Sequence, residues 1–143
     1  MKNKILIASD HAGFGLKREI IDSFPSEYFE DLGTNSEESV DYTDYANLLA
    51  KRVSLNNDLN GILICATGVG MSIASNKFKN IRAGLAYNSN VAKLIKEHNN
   101  ANILVLPGKF MDLNEAKKCI NNFCNSLFQS GRHSRRIEKI IEK

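Results

Sequence analysis

The residues with the most chemistry to offer fall in a few short stretches. Cys65 closes the apolar run GILIC (61–65) and leads straight into Ala66-Thr67-Gly68-Val69-Gly70. A thiol can serve as a base or nucleophile where a helix N-terminus or a nearby cation favours the thiolate; buried cysteines elsewhere are mostly inert filler. The glycines let backbone approach a ligand, and successive N–H groups can form an anion-binding nest. A plain strand-to-helix turn uses glycine as well. Asp10-His11 follows a second apolar run, KILIAS (4–9). It reads as a helix cap with a solvated neighbour or as a ligand-facing pair. His98, followed by Asn99, ends a helical pattern and is the best acid/base partner for Cys65; its alternative role is a charge at a helix C-terminus. Arg132 and Arg136 stand at i, i+4, on one helical face. Two guanidiniums in register suit a phosphate, although a solvated helix face is the commoner use of such a cluster.

The elements that must position these groups alternate in type. Strand patterns cover 4–9, 27–33, 61–66, 81–87 and 102–108. Helical patterns cover 14–24, 42–55, 72–78, 91–98 and 113–129, with Asp112 or Asn114 as the cap of the last. In 14–24 the apolar face is Leu16, Ile20, Ile21 and Phe24; in 42–55 it is Tyr45, Leu48, Leu49 and Val53, with Arg52 in the pattern. The tail RRIEKIIEK reads as a final helix. Strands separated by helices imply βαβ units and a parallel sheet. The expected fold is therefore α/β, a Rossmann-like three-layer αβα sandwich with about five parallel strands. Ligands of open α/β sheets bind outside the carboxyl ends of the strands. That rule singles out Asp10-His11, the 65–70 loop, Tyr87-Asn88 and the loop from Pro107 to Phe110.

Composition narrows the function classes. A chain of 143 residues implies one domain, 1–143. Hydrophobic content of 43% and charged content of 24% fit a globular protein. A net charge of +3 does not argue for nucleic acid. No apolar run is long enough for a membrane span, and the start MKNKILIASD is charged too early for a signal peptide; a cytoplasmic protein is expected. Three cysteines with no CxxC pair point to neither a disulfide framework nor a zinc site, and Cys119 and Cys124 read as helix filler. Neither Gly68-Val69-Gly70 nor Gly13-Phe14-Gly15 completes a dinucleotide fingerprint, since Ile73 and Arg18 occupy the third glycine's place. Asp31 does end the second strand, as a ribose-binding acid would. No P-loop pattern occurs.

Taken together, SDHAGFGLK (9–17), DLGT (31–34), DYTDYA (41–46), GILICATGVGMSIASNKF (61–78), IRAGLA (81–86), EHNNANILVLPG (97–108) and GRHSRR (131–136) resemble the B-type ribose-5-phosphate isomerases. That family also holds the galactose-6-phosphate isomerase subunits. The motifs match in order and spacing over nearly the whole chain.

The resemblance implies a metal-free, cofactor-free aldose–ketose isomerisation of ribose 5-phosphate and ribulose 5-phosphate through a cis-enediolate, in the non-oxidative branch of the pentose phosphate pathway. By the same analogy Cys65 is the base between C2 and C1. His98 assists ring opening, with Asp10 and Thr67 nearby. Ala66, Thr67, Gly68, Val69 and Gly70 offer backbone N–H groups to the enediolate oxygen. Asp10, His11 and Asn99 contact the sugar or its phosphate, and Lys109, Arg132 and Arg136 form the phosphate grip. The family implies a homodimer or dimer of dimers with sites across the interface, and a small sugar phosphate as the ligand. Isomerisation of a hexose 6-phosphate, allose or galactose 6-phosphate, is the close alternative; a non-catalytic binding module on the same fold is the distant one. Elementary chemistry asks for the same parts. Proton transfer beside a carbonyl needs a base within about 3 Å of the carbon-bound hydrogen and donors aimed at the developing oxyanion. A remote phosphate grip then holds the reacting carbons in place. The chain departs from the family at Ala66, where glycine is frequent, at Thr43, where proline is, and at Lys109, where the planar fork of arginine is common.

Overall fold

The computed structural model describes residues 3–140. Five strands carry the sheet: β1 (Ile5–Ser9), β2 (Phe29–Asp31), β3 (Gly61–Cys65), β4 (Ala83–Leu85) and β5 (Ile103–Pro107). Helices follow each strand in turn: α1 (Phe14–Asp22), α2 (Tyr42–Ser54), α3 (Val69–Ser75), α4 (Ser89–Glu97) and α5 (Leu113–Asn125), with α6 (Arg132–Glu138) after them. The strand order is β2-β1-β3-β5-β4 and every pairing is parallel. The expected three-layer α/β sandwich is the observed fold.

The sheet is buried on both faces, so its central strands are apolar without interruption. Ile62 and Ile64 of β3 and Leu104 and Leu106 of β5 face a core shared with Leu16, Ile20, Ile95, Ile120 and Phe123. Leu63 and Cys65, with Ile103 and Val105, face the opposite core, covered by Leu49, Val53 and Met71. Each fully buried Leu or Ile side chain contributes roughly 1.5–3 kcal/mol. Of the two cap candidates for the last long helix, Asp112 serves, accepting from the Glu115 N–H (2.9 Å); Asn88, not expected as a cap, caps α4 by accepting from the Val91 N–H (2.9 Å).

Several boundaries differ from the sequence expectation. The third helix begins at Val69 rather than residue 72, because Gly68 adopts a left-handed φ of 79° and turns the chain directly into it. On α2 the buried face is Ala46, Leu49, Ala50 and Val53, while Leu48 points outward. The fifth helix stops at Asn125, where Ser126 turns extended. The last helix starts at Arg132, and the end of the expected tail helix, 141–143, lies outside the described residues. No helix among the described residues is long and apolar enough to cross a membrane.

Candidate active site

The carboxyl edge of the sheet gathers half of the expected site. Strand β1 ends at Ser9 beside Ile64 of β3, so Asp10 emerges next to Cys65. The Asp10 N–H donates to the Ile64 carbonyl (3.2 Å), and Asp10 Oδ1 accepts from the Gly13 N–H (3.0 Å). Gly13 is required here: a Cβ would stand 2.5 Å from the Ile64 carbonyl oxygen. That close approach draws α1 against β3 and fixes Asp10 at the sheet rim. His11 Nδ1 accepts from the Val40 N–H (3.1 Å), which leaves its other ring nitrogen as a donor for a ligand.

Cys65 is buried, and its Sγ accepts from the Gly68 N–H at 3.2 Å. Thr67 Oγ1 accepts from the Val69 N–H (3.2 Å). The N–H groups of Thr67, Gly70 and Met71 have no hydrogen-bond partner among the described residues. One amide thus meets the sulfur, and the loop that follows carries further N–H groups free to receive a negatively charged oxygen. The adjoining strand end completes the floor, because the Gly108 N–H donates to the Cys65 carbonyl (2.8 Å) and the Lys109 N–H to the Ala66 carbonyl (3.0 Å). Beside this edge opens a cleft of about 660 Å³ whose walls include His11, Lys109 and Asp112.

The remaining expected residues lie at the other end of the sheet. Helix α4 runs back from the carboxyl edge, so its C-terminal cap, His98, arrives where the strands begin. Lys96 Nζ donates to Asn60 Oδ1 (3.2 Å) just before β3 starts, which marks that level. Helix α5 returns the same way, and the segment after it is tied to α4 by the Gln129 N–H donating to the Glu97 carbonyl (2.8 Å). The rings of His98 and His133 then stack, with centroids 4.3 Å apart. Arg132 and Arg136 are exposed beside them, without an ion pair to any described residue. A five-residue parallel strand is roughly 15 Å long. Within one chain, His98, Asn99, Arg132 and Arg136 therefore do not meet Cys65, Asp10, His11 or Lys109. The expected site residues thus fall in two groups at opposite edges, each at most a half-site.

Sequence reasoning missed Lys17. Its ammonium is fully buried and donates to Asp31 Oδ1 (2.6 Å) and the Thr34 carbonyl (2.6 Å). Burial lowers its pKa, opposed by Asp31. Lys17 pins the loop after β2 against the end of β1, where the Thr34 N–H donates to the Ser9 carbonyl (2.9 Å). It also occupies Asp31, which accepts from the Gly33 N–H as well (2.9 Å), so that carboxylate is committed inside the protein rather than offered to a ribose. Only its place in SDHAGFGLK could have drawn attention to Lys17. His133, noted only as part of the arginine cluster in GRHSRR, was given no role of its own. Cys119 is core filler as expected, and burial pushes its thiol up to about 12. Cys124 is half-buried. Among the described residues no group of three or more His, Cys, Asp or Glu is arranged to hold a metal ion.

Fold and site together define an open-sheet α/β protein whose ligand edge presents a thiol and amide donors suited to an anionic oxygen. Comparison with known proteins narrows that class. The profile described as Ribose/Galactose Isomerase matches residues 5–140. The chain is 43% identical to a probable ribose-5-phosphate isomerase B of Mycoplasma genitalium, covering 99% of this chain and 95% of the relative. It is 40% identical to the ribose-5-phosphate isomerase B of Escherichia coli over 96% and 93% of the two chains. The crystal structure of a ribose 5-phosphate isomerase from Thermotoga maritima superposes with a TM-score of 0.93 at 46% identity, covering 98% of each chain. That of the Mycoplasma genitalium enzyme with bound ribulose-5-phosphate gives 0.91 at 42% identity, covering 96% and 93%. The chain belongs to the ribose/galactose isomerase family.

Proposed function

We propose that this protein interconverts ribose 5-phosphate and ribulose 5-phosphate, with each active site assembled from two copies of the chain. The observation that carries the chemistry is the Cys65 sulfur at the carboxyl edge of β3, with the Gly68 N–H 3.2 Å away and further unpaired amide donors in the loop that follows. In this reading the Cys65 thiolate takes the proton from C2 of the open-chain aldose. The electrons of that bond form the C1–C2 double bond of the enediolate, and the carbonyl oxygen gains negative charge facing the amides of 67–71. The O2 hydroxyl proton passes to O1, and as the C2–O2 carbonyl forms, the electrons of the C1–C2 double bond take the proton back from Cys65 at C1 to give the ketose. Donors placed in advance at the developing oxyanion are the largest contribution in reactions of this type.

The two half-sites supply the argument for a dimer. His98, Asn99, Arg132 and Arg136 of the partner subunit would come to the carboxyl edge of the first. A two-fold axis would pair the same surfaces twice, giving two equal sites. Both edges carry apolar side chains left in water: Tyr87 and Phe110 at the carboxyl edge are 70% and 76% exposed, and Leu127 beyond α5 is 83% exposed. A partner that covers them stabilises the pair by burying this surface. His98 then opens the sugar ring by moving a proton between the anomeric hydroxyl and the ring oxygen. His11, Lys109, Arg132 and Arg136 hold the phosphate. The whole chain acts as one catalytic domain, in the cytoplasm and in the pentose phosphate pathway.

The test is a direct assay of the purified chain on ribose 5-phosphate beside allose 6-phosphate and galactose 6-phosphate, with a chelator present. We expect ribose 5-phosphate to give the highest kcat/KM, undiminished by the chelator. Faster turnover of a hexose 6-phosphate reassigns the substrate, and no turnover of any of them overturns the isomerase reading.

A further inference from the structure

The residue between the two phosphate-facing arginines has no role in the scheme above. His133 is buried, whereas His98 is half-buried. Their rings lie nearly parallel, with 15° between planes and 4.3 Å between centroids. An imidazole at a helix cap has a broad, two-fold preference at its outer torsion, so nothing in α4 itself sets the plane of the His98 ring. We infer that His133 is a positioning residue for the isomerisation: its ring face fixes the plane of the His98 ring, so that the His98 nitrogens meet the sugar at a set angle. The inference rests on reading His98 as the ring-opening group.

The support of His133 is built in. Gly131, at a φ of 60°, starts α6, and the His133 N–H donates to the Ser130 carbonyl (3.2 Å). The preceding Gln129 is bonded to Glu97 twice, by its N–H to the carbonyl (2.8 Å) and by Nε2 to Oε2 (3.2 Å). The segment bearing His133 is therefore fastened to the residue just before His98. The charged groups around the pair are Glu97 on α4 and Arg132 and Arg136 on α6. Burial first, then His98, Arg132 and Arg136, hold the His133 pKa below the usual imidazole value. At neutral pH the ring is a neutral flat face, which phenylalanine imitates and leucine does not.

The experiment compares wild type, His133→Phe, His133→Leu and His133→Ala. It measures kcat and KM on ribose 5-phosphate, and Kd for the open-chain five-carbon aldonic acid 5-phosphate, which needs no ring opening. We expect kcat to fall about tenfold or more in His133→Ala and His133→Leu while KM and Kd stay within about twofold, the signature of a lost transition-state contribution. We expect His133→Phe to keep kcat within about threefold of wild type. A phenylalanine variant as slow as the leucine one overturns the inference, as does an alanine or leucine variant with normal kcat. A raised KM at normal kcat overturns it in favour of a direct phosphate contact. Should the alanine variant fail to fold, the phenylalanine and leucine variants decide. Wild type without activity on ribose 5-phosphate would instead defeat the isomerase reading.

Discussion

The two half-sites are built by different means. At the carboxyl edge the functional groups hang from strand ends held in register: Ser9 beside Ile64, Cys65 beside Pro107. Their donors are backbone amides, fixed by the sheet and by Gly68. At the opposite edge the groups are side chains on helix ends, two of them exposed arginines, braced by the Gln129–Glu97 bonds and the His98–His133 stack. The first half is suited to stabilising charge on a small atom, where preorganisation matters most. The second is suited to gripping a phosphate and moving a proton, tasks that tolerate longer side chains. One chain carries both and can unite neither with the other.

This division predicts unequal consequences of mutation. The largest belongs to the carboxyl edge. Cys65→Ala should lower kcat by roughly 10²–10⁴-fold, the range for loss of a general base, while sugar phosphate still binds. Full activity in that variant would remove Cys65 from the mechanism.

His98→Asn strikes the other half. It should slow the cyclic substrate roughly 10- to 100-fold and an open-chain analogue much less; equal losses would count against ring opening. The pair of variants also tests the division itself. Mixing Cys65→Ala with His98→Asn after subunit exchange leaves half the molecules heterodimeric, each with one site free of both substitutions. Activity should recover to about a quarter of wild type. Recovery of nothing, at proven exchange, would place both residues in one chain's site.

Arg136→Ala should raise KM about tenfold or more with a smaller change in kcat, because phosphate binding is remote from the reacting carbons. An unchanged KM would take Arg136 out of the grip.

The difference between the halves also decided what could be read from the sequence. The carboxyl edge was legible from physical rules. Apolar runs located the strands, and the strand-end rule selected Asp10, His11 and the 65–70 loop. The other edge offered no such rule. His98 and Arg132 come together only because α4 and α5 both return to the same level, and the i, i+4 spacing of the arginines is equally that of a solvated face. Residue type suggested an acid/base role for His98 and a phosphate for the arginines, but ring opening and the phosphate grip came from resemblance. Boundaries slipped where a single backbone angle decided them, as at Gly68. Lys17 was illegible because a lysine on a short amphipathic helix normally faces water. Its burial depends on Asp31 and the Thr34 carbonyl, which are distant in sequence. Lys17→Met should therefore cost about 2–4 kcal/mol, through an unpaired Asp31 and an unsatisfied carbonyl. Chemical denaturation reads this directly, and a loss under about 0.5 kcal/mol would show the buried pair to be replaceable by apolar packing.

The smallest effect is expected at Ala66, where the family often has glycine. Its carbonyl accepts from the Lys109 N–H at 3.0 Å, which anchors the first residue of the donor loop. The later donors depend on Gly68, whose left-handed φ of 79° turns the chain whether or not residue 66 bears a methyl. Ala66→Gly should therefore change kcat less than about threefold, with stability lowered by roughly 0.5–1 kcal/mol as the unfolded chain gains freedom. Paired measurements of kcat and melting temperature separate the two. A tenfold gain in kcat would mean that the Ala66 methyl narrows the oxyanion loop, and that the backbone half-site is less rigid than its hydrogen bonds imply.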